Sequence, residues 1–373
     1  MEIKGRDLKL VKDFYNYCLA QGLSEGRVEK YAYLIRNLRK MFGKSFQEVK
    51  KEDVIKVLSE IERLNLTYWT KRDYKVVLKK FYEFLGKEDL VSWIKTTGTK
   101  QQRKKEEKKL PSEILTVKEI KKMANAADNI RDKALVLTLY ETGARIGEFL
   151  NMRVGDIKFD EHGARVVLEG KTGMRVIRII SSVPALAQWV AQHPFKNDKD
   201  AFLWVGLTRR AKNKPISYRE VLKILKNLAR KANIRKNIYP SLLRHSRATE
   251  LAKILTEQQL KLFFGWEMSS KMASVYVHLS GKDLDAALLK AAGIEIEERK
   301  EQEFKPMKCA RCGYVNDPAS KFCVNCGMPL TLKAAVELEE KRQIADVIMN
   351  LLFKDEEFVK FVEKKLKKLK SSL

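Results

Sequence analysis

The sequence of 373 residues contains no run of about 18 consecutive apolar residues, so no segment is predicted to cross a membrane as a helix. Met1 to Leu10 alternates charged with apolar side chains and lacks the apolar core of a secretion signal, which leads to the expectation of a cytoplasmic, nucleoid-associated protein. Cysteine is scarce as well. Cys18 stands alone in a helical pattern, while the other four of the five crowd into an 18-residue window. That distribution does not suit a disulfide framework and suits metal binding in a reducing compartment. Acidic residues are in deficit, with 48 Asp and Glu against 75 Lys and Arg and a formal net charge of +27. A bias of that size favours a polyanionic partner, with nucleic acid first and merely solvated lysine faces as the plainer reading. No internal repeat is present.

What is present is a periodic apolar pattern making up 45% of the chain, enough to bury real cores, over a length that calls for two or three folded units. The expected fold is mainly α with a small three-stranded antiparallel sheet. Helical spacing runs through Leu8 to Gln21, Ser24 to Met41, Lys51 to Leu64 and Tyr68 to Leu85, which makes residues 1–94 a helical block. Residues 95–109 hold six cations against two acids from Lys100 to Lys109, and read equally as an exposed connector and as a strand of phosphate contacts through Arg103, Lys104 and Lys105. A second domain, 110–300, begins with helices at Val117 to Asn125, Arg131 to Thr142 and from Ile146. Three β-prone runs follow, Asp156 to Phe159, Ala164 to Leu168 and Met174 to Ile180. Helices resume at Ala185 to Gln192, Tyr218 to Ala232, Ser241 to Ile254, Glu257 to Phe264, Ser270 to His278 and Lys282 to Ala292, with a capping box at Thr256 and Gln259. Residues 305–331 hold the cysteine cluster, and 332–373 form an amphipathic helical tail that packs on the preceding domain or self-associates.

Three segments carry the chemistry. Thr142-Gly143-Ala144-Arg145-Ile146-Gly147-Glu148 sets a cation between glycines, with an acid three residues on that can hold it. Pro240-Ser241-Leu242-Leu243-Arg244-His245-Ser246-Arg247 opens a helix whose apolar residues can hold its cations rigidly. Phe264-Gly265-Trp266 then precedes Tyr276. Each element alone is weak, since a given tyrosine is usually a packing residue. In this order they resemble the tyrosine recombinase and integrase family, over Leu110 to about Ala292. The family pattern has an Arg in T-G-x-R, a hairpin Lys, H-x-x-R, a later His or Trp, and Tyr.

The resemblance implies that Arg145 and Arg244 stabilise a phosphorane-like charge, that Glu148 supports Arg145, and that Lys171 in Glu169-Gly170-Lys171-Thr172-Gly173 protonates the departing 5′ oxygen. It implies Tyr276 as nucleophile and Trp266 as a phosphate donor through its indole N–H, although Lys171 also fits a plain turn lysine and Trp266 a buried structural residue. The implied reaction is site-specific DNA breakage and rejoining through a 3′-phosphotyrosyl link, with no ATP or catalytic metal, by a homo-oligomer, a tetramer on two DNA duplexes. The helical block 1–94 is similar in size and order to the family's core-binding domain. One position departs: Ser241 stands where the family has the His of H-x-x-R. His245 is adjacent to Arg244, and neighbours on a helix diverge by roughly 100°, so it is assigned a structural part. A catalytically degenerate DNA-binding accessory protein and a type IB topoisomerase-like enzyme are the competing functions.

Cys309-x-x-Cys312 and Cys323-x-x-Cys326, each pair followed by Gly, form a zinc-ribbon pattern. Four thiolates leave no open position for water, so the zinc is expected to be structural. This appendage points to an integrase of an archaeal virus or plasmid.

Overall fold

The computed structural model describes residues 5–97, 114–170, 173–208, 214–279, 292 and 303–370, which fall into two compact units, 1–109 and 110–373. Lys171, Arg103, Lys104, Lys105 and nearly all of the helix expected over Lys282 to Ala292 lie outside the described residues.

The first unit is built from α1 (Gly5–Ala20), α2 (Glu25–Phe42), α3 (Lys51–Arg63) and α4 (Tyr68–Phe84). The apolar stripes at helical spacing face inward: Phe14, Cys18, Ile35, Leu38, Ile61 and Phe81 are all essentially inaccessible. Phe81 meets Phe14 and Phe46 edge to face at 5.2 and 4.8 Å. The buried carboxylate of Asp7 pairs with the Arg39 guanidinium and accepts from Ser45 Oγ at 2.8 Å and the Phe46 N–H at 3.2 Å, so its burial is compensated. Cys18 packs as a small hydrophobe, and burial raises its thiol pKa.

The second unit is organised around one helix. After α5 (Val117–Asn125), capped by reciprocal bonds between Thr116 and Glu119, comes α6 (Ile130–Thr142). Every residue of α6 from Ala134 to Thr142 is buried, as expected of a helix that is apolar on nearly all sides. The short α7 (Ile146–Asn151) leads into an antiparallel sheet in the order β1 (Ile157–Asp160), β2 (Gly163–Gly170), β3 (Gly173–Ile179). Val166 pairs with Ile157 and with Ile177, and the alternation turns Ala164, Val166, Leu168, Ile177 and Ile179 into the core while Met174 and Val176 stay exposed.

Then follow α8 (Val183–Gln192), α9 (Tyr218–Lys231), α10 (Pro240–Leu251), α11 (Glu257–Phe264) and α12 (Met272–Leu279). The last three enclose a small separate core of Ala248, Leu251, Ala252, Leu260, Phe264, Ala273 and Tyr276. The cysteine segment adds a two-stranded ribbon, β4 (Met307–Lys308) and β5 (Val315–Asn316). It is docked on the second unit: Phe304 and Ala319 join the main core, Phe304 meets Tyr140 edge-on at 4.9 Å, and Asp317 pairs with Lys133 at 2.8 Å. In the tail, α13 (Leu332–Leu352) and α14 (Glu356–Lys370) leave Leu332, Ile344, Val347, Leu351 and Phe361 exposed.

A buried carboxylate fixes the end of the sheet to α6. Glu141 accepts from the Ile180 and Ser181 N–H groups at 2.9 Å each, and from the Ser182 N–H and Oγ at 2.6 Å each. Removing it strands buried donors, each costing about 1–3 kcal/mol. Glu141→Ala is expected to lower the unfolding free energy of the second unit by about 3 kcal/mol, read as a fall in the urea midpoint at unchanged slope. A midpoint equal to wild type would show that the carboxylate is not the clamp.

Candidate active site

The chain reverses at the end of α6 because Gly143 takes a left-handed conformation, φ 53°. A side chain there would also collide with Phe264, whose Cε1 lies 2.4 Å from the Cβ position. The turn sets Arg145 at the start of α7, where its N–H donates to Glu148 Oε2 at 3.0 Å and its Nη1 to Glu148 Oε1 at 2.7 Å. Glu148 is 4% exposed and takes a second guanidinium, Arg175 Nη2 from β3, at 2.7 Å. Burial alone would raise the Glu148 pKa, but the hydrogen bonds from Arg175 and Arg145 outweigh it and hold the carboxyl below its ordinary value. The turn end of the β2–β3 hairpin presses on this carboxylate: a Cβ at Gly170 would lie 2.6 Å from Glu148 Oε1. Only glycine permits that approach.

Arg244 projects from α10 and is 8% exposed. Its Nη1 donates to Gly143 O at 2.6 Å and its Nη2 to Phe264 O at 2.7 Å. Burial, then the charges of Arg145 and Arg175, lower its pKa to about 10, which leaves it cationic at neutral pH. Arg145 Nη2 donates to Gly265 O at 3.0 Å, and Arg175 Nε to Phe263 O at 3.0 Å. Three successive carbonyls at the end of α11 thus accept from three different arginines. Helix C-termini carry unsatisfied carbonyls and partial negative charge, which is why cations gather there.

Helix α11 itself starts at the expected capping box, with the Gln259 N–H on Thr256 Oγ1 at 3.3 Å and the Thr256 N–H on Gln259 Oε1 at 2.8 Å. It stops at Gly265, also left-handed. Trp266 follows and stacks on Phe264 (4.9 Å, 21°) and on Tyr276 (5.3 Å, 2°). Tyr276, on α12, is 4% exposed; burial pushes its phenol up to about 12, against the lowering field of Arg244. Its hydroxyl is in hydrogen-bond contact with His245 Nδ1.

The fold therefore gathers Arg145, Glu148, Arg244, Trp266 and Tyr276 at one place. Ser241 is exposed on the first turn of α10. One neighbour was not singled out in sequence, Arg175, an arginine at a half-buried strand position, and His245, expected to have a structural part, is in contact with the tyrosine hydroxyl. Position 245 lies four residues from Ser241, on the same face of α10 and one turn along, and that spacing was the available signal.

The family model for the phage integrase family matches residues 113–282, the span that holds all of these residues. Residues 113–282 therefore carry a phage integrase family domain, and the relatives that the chain resembles are tyrosine recombinases. Among relatives, tyrosine recombinase XerA of Pyrococcus horikoshii is 27% identical over 287 residues, covering 77% of this chain and 94% of the relative. XerA of Saccharolobus solfataricus is 25% identical over 295 residues, covering 76% and 92%. The fold is shared with XerH site-specific recombinase bound to palindromic difH substrate in a post-cleavage complex (TM-score 0.56, 19% identity, 74% of this chain and 81% of that one). A lambda integrase tetramer bound to a Holliday junction is similar at TM-score 0.55 and 16% identity, covering 74% and 79%. The family match ends before the cysteine cluster.

In that cluster the two turns repeat the same bonds. The Cys309 N–H donates to Tyr314 O and the Cys323 N–H to Met328 O, both at 2.8 Å, while the Gly313 and Gly327 N–H groups bond back to Cys309 O and Cys323 O at 2.9 and 2.8 Å. All four sulfurs lie within 4.8 Å of one another, with Cys309–Cys326 at 3.6 Å and Cys312–Cys323 at 3.5 Å. Four thiolates around a tetrahedral ion at about 2.3 Å would stand about 3.8 Å apart, so the set fits one metal ion.

The packing of Gly143 gives a direct test. Gly143→Ala adds left-handed strain of about 1–2 kcal/mol and overpacking against Phe264 of about 1–3 kcal/mol. The expected loss is therefore about 2–5 kcal/mol of stability, measured by urea titration, with favourable coupling to Phe264→Leu in a double-mutant cycle. Additive single effects would place the strain elsewhere.

Proposed function

We propose that this recombinase cuts and rejoins duplex DNA at specific sites, with Tyr276 as nucleophile. The observation that carries the reading is the convergence of Arg145 and Arg244 on adjacent carbonyls of the turn that delivers Trp266, with Tyr276 stacked against that tryptophan. A phosphodiester under attack gathers charge on its non-bridging oxygens. Guanidinium forks held by Glu148, Gly143 O and the end of α11 are oriented before substrate arrives, which is where electrostatic stabilisation is most effective. Arg244 has five N–H donors, so its two carbonyl bonds leave others for a phosphate.

In this reading the Tyr276 oxygen attacks phosphorus, forms a 3′-phosphotyrosyl ester and releases a 5′ hydroxyl, with Lys171 as the acid for the leaving oxygen. The ester conserves the energy of the broken bond, so rejoining needs neither ATP nor a catalytic metal. The helical unit at 1–94 and the cations Arg103, Lys104 and Lys105 are assigned to backbone contacts on the same duplex. The working form is a homo-oligomer, a tetramer on two DNA sites, in the cytoplasm. Among the described residues no helix is long and apolar enough to cross a membrane.

The test is incubation of wild type and Tyr276→Phe with nicked suicide duplexes. A protein–DNA adduct with wild type and none with the variant is expected. Absence of adduct from wild type would favour a DNA-binding relative without cleavage, whereas relaxed supercoils without recombinant junctions from paired sites would favour a topoisomerase.

The four cysteines are assigned to one structural zinc. Metal analysis should find one zinc per chain, and chelation should lower the melting temperature, because Phe304, Asp317 and Ala319 dock the ribbon on the second unit. An unchanged melting curve after complete zinc removal would refute a structural role.

A further inference from the structure

Tyr276 presents a chemical difficulty that the arginines do not remove. A phenol held at about 12 is ionised in only about one molecule in 10⁵ at pH 7, even beside Arg244. Its proton needs an acceptor as the oxygen attacks. Among the described residues the hydroxyl has one polar side-chain partner, His245 Nδ1. The two rings lie 5.9 Å apart between centroids at 29°, with Trp266 on the tyrosine at 2°, so the hydroxyl is held in register with the imidazole. Position 241, where the family pattern has histidine, holds Ser241, and position 245 repeats that face of α10 one turn later.

Resting on the assignment of Tyr276 as nucleophile, we propose that His245 is a catalytic residue, the general base that takes the Tyr276 proton during cleavage and returns it during rejoining. In the forward step the O–H bond of Tyr276 breaks and its proton moves to Nδ1, giving an imidazolium. The freed electron pair forms the bond from Oη to phosphorus. The bond from phosphorus to the 5′ oxygen breaks with its pair on that oxygen, which takes a proton from a separate acid or water and leaves as a hydroxyl. In the reverse step a 5′ hydroxyl attacks phosphorus and gives up its proton to that acid's conjugate base. The bond from phosphorus to Oη breaks, and the imidazolium reprotonates the tyrosine. The imidazolium forms close to Arg244, so it is best tolerated when a phosphate anion occupies the site, which ties proton transfer to bound DNA.

The test is single-turnover cleavage of two nicked suicide duplexes by full-length wild type, His245→Ala and His245→Asn. One duplex carries the ordinary 5′ oxygen at the scissile phosphate and the other a bridging 5′ sulfur, a leaving group that needs no protonation. The His245→Asn side chain preserves a hydrogen bond to the tyrosine without a basic site, and melting curves with DNA-binding titrations identify which variant remains folded. The expected result is a loss of about 10²–10⁴-fold in both variants on both duplexes, with partial recovery of His245→Ala by added imidazole. Wild-type rates in a folded variant, a defect that vanishes with the sulfur duplex, or an active His245→Asn would each overturn the proposal. Wild-type adduct alongside Tyr276→Phe in the same assay keeps the two readings apart: no wild-type adduct defeats the Tyr276 assignment itself, whereas normal adduct from the His245 variants defeats only this one.

Discussion

The candidate active site depends on the carboxyl end of one eight-residue helix. The carbonyls of Phe263, Phe264 and Gly265 accept from Arg175, Arg244 and Arg145 in turn. Three guanidiniums so close would repel one another in a medium of low polarity. The helix end supplies aligned carbonyl dipoles and Glu148 supplies one full negative charge, shared between Arg145 and Arg175. Three cations against one carboxylate leave a formal excess of two positive charges, which the single negative charge of an incoming phosphodiester would offset in part. The same turn that fixes the arginines also positions Trp266, and through its stacked ring Tyr276. Charge placement and nucleophile placement are therefore one structural event.

Much of this was readable from the chain itself, for reasons that are local. The helix starts at Thr116, Ser217 and Thr256 rest on side-chain caps whose partners lie three residues on, and Gly143 and Gly265 end helices because they alone adopt the left-handed turn cheaply. The sheet followed from alternation and turn residues. The contacts that make the site work are of another kind. Arg175 reaching Phe263 spans 88 residues, Arg145 reaching Gly265 spans 120, and His245 reaching Tyr276 spans 31. No periodicity encodes such pairs. Arg175 is hardest to see, because an arginine on an alternating strand reads as a solvent-facing residue, yet its side chain is buried between Glu148 and the end of α11. The contact of His245 with Tyr276 is hidden for a different reason: the residue diverges from Arg244, its neighbour on the helix, but shares a face with Ser241, four residues away.

The ribbon shows how a segment beyond the family match is tied to the site. Phe304 packs on Tyr140, and the Arg247 guanidinium lies 5.7 Å over the rings of both. Tyr140 OH donates to Glu250 Oε2 at 2.8 Å, and Arg247 Nη1 bonds to the same oxygen at 2.6 Å. Arg247 and Glu250 belong to α10, the helix that carries Arg244 and His245. A continuous set of packed and hydrogen-bonded groups thus runs from the start of the ribbon to the back of α10. A closed set of four thiolates around one ion would suit that place, since such a set would hold a fold in position and leave no site for a reacting oxygen.

The state of the tyrosine follows from the same packing. Enclosed by Trp266 and by the small core of α10, α11 and α12, Tyr276 gains contact energy but loses the water that would solvate a phenolate. Burial outweighs the favourable field of Arg244, and the phenol stays protonated while no anion is bound. A phosphate on the arginines would add negative charge near the phenol, which by itself disfavours ionisation further. Binding alone therefore cannot activate the nucleophile; proton removal has to be concerted with attack, as the bond to phosphorus takes up the developing charge. That requirement gives the position of the His245 nitrogen at the hydroxyl its chemical meaning, and under the proposed mechanism it separates two tasks within α10: Arg244 would address the phosphate, and the next residue the proton.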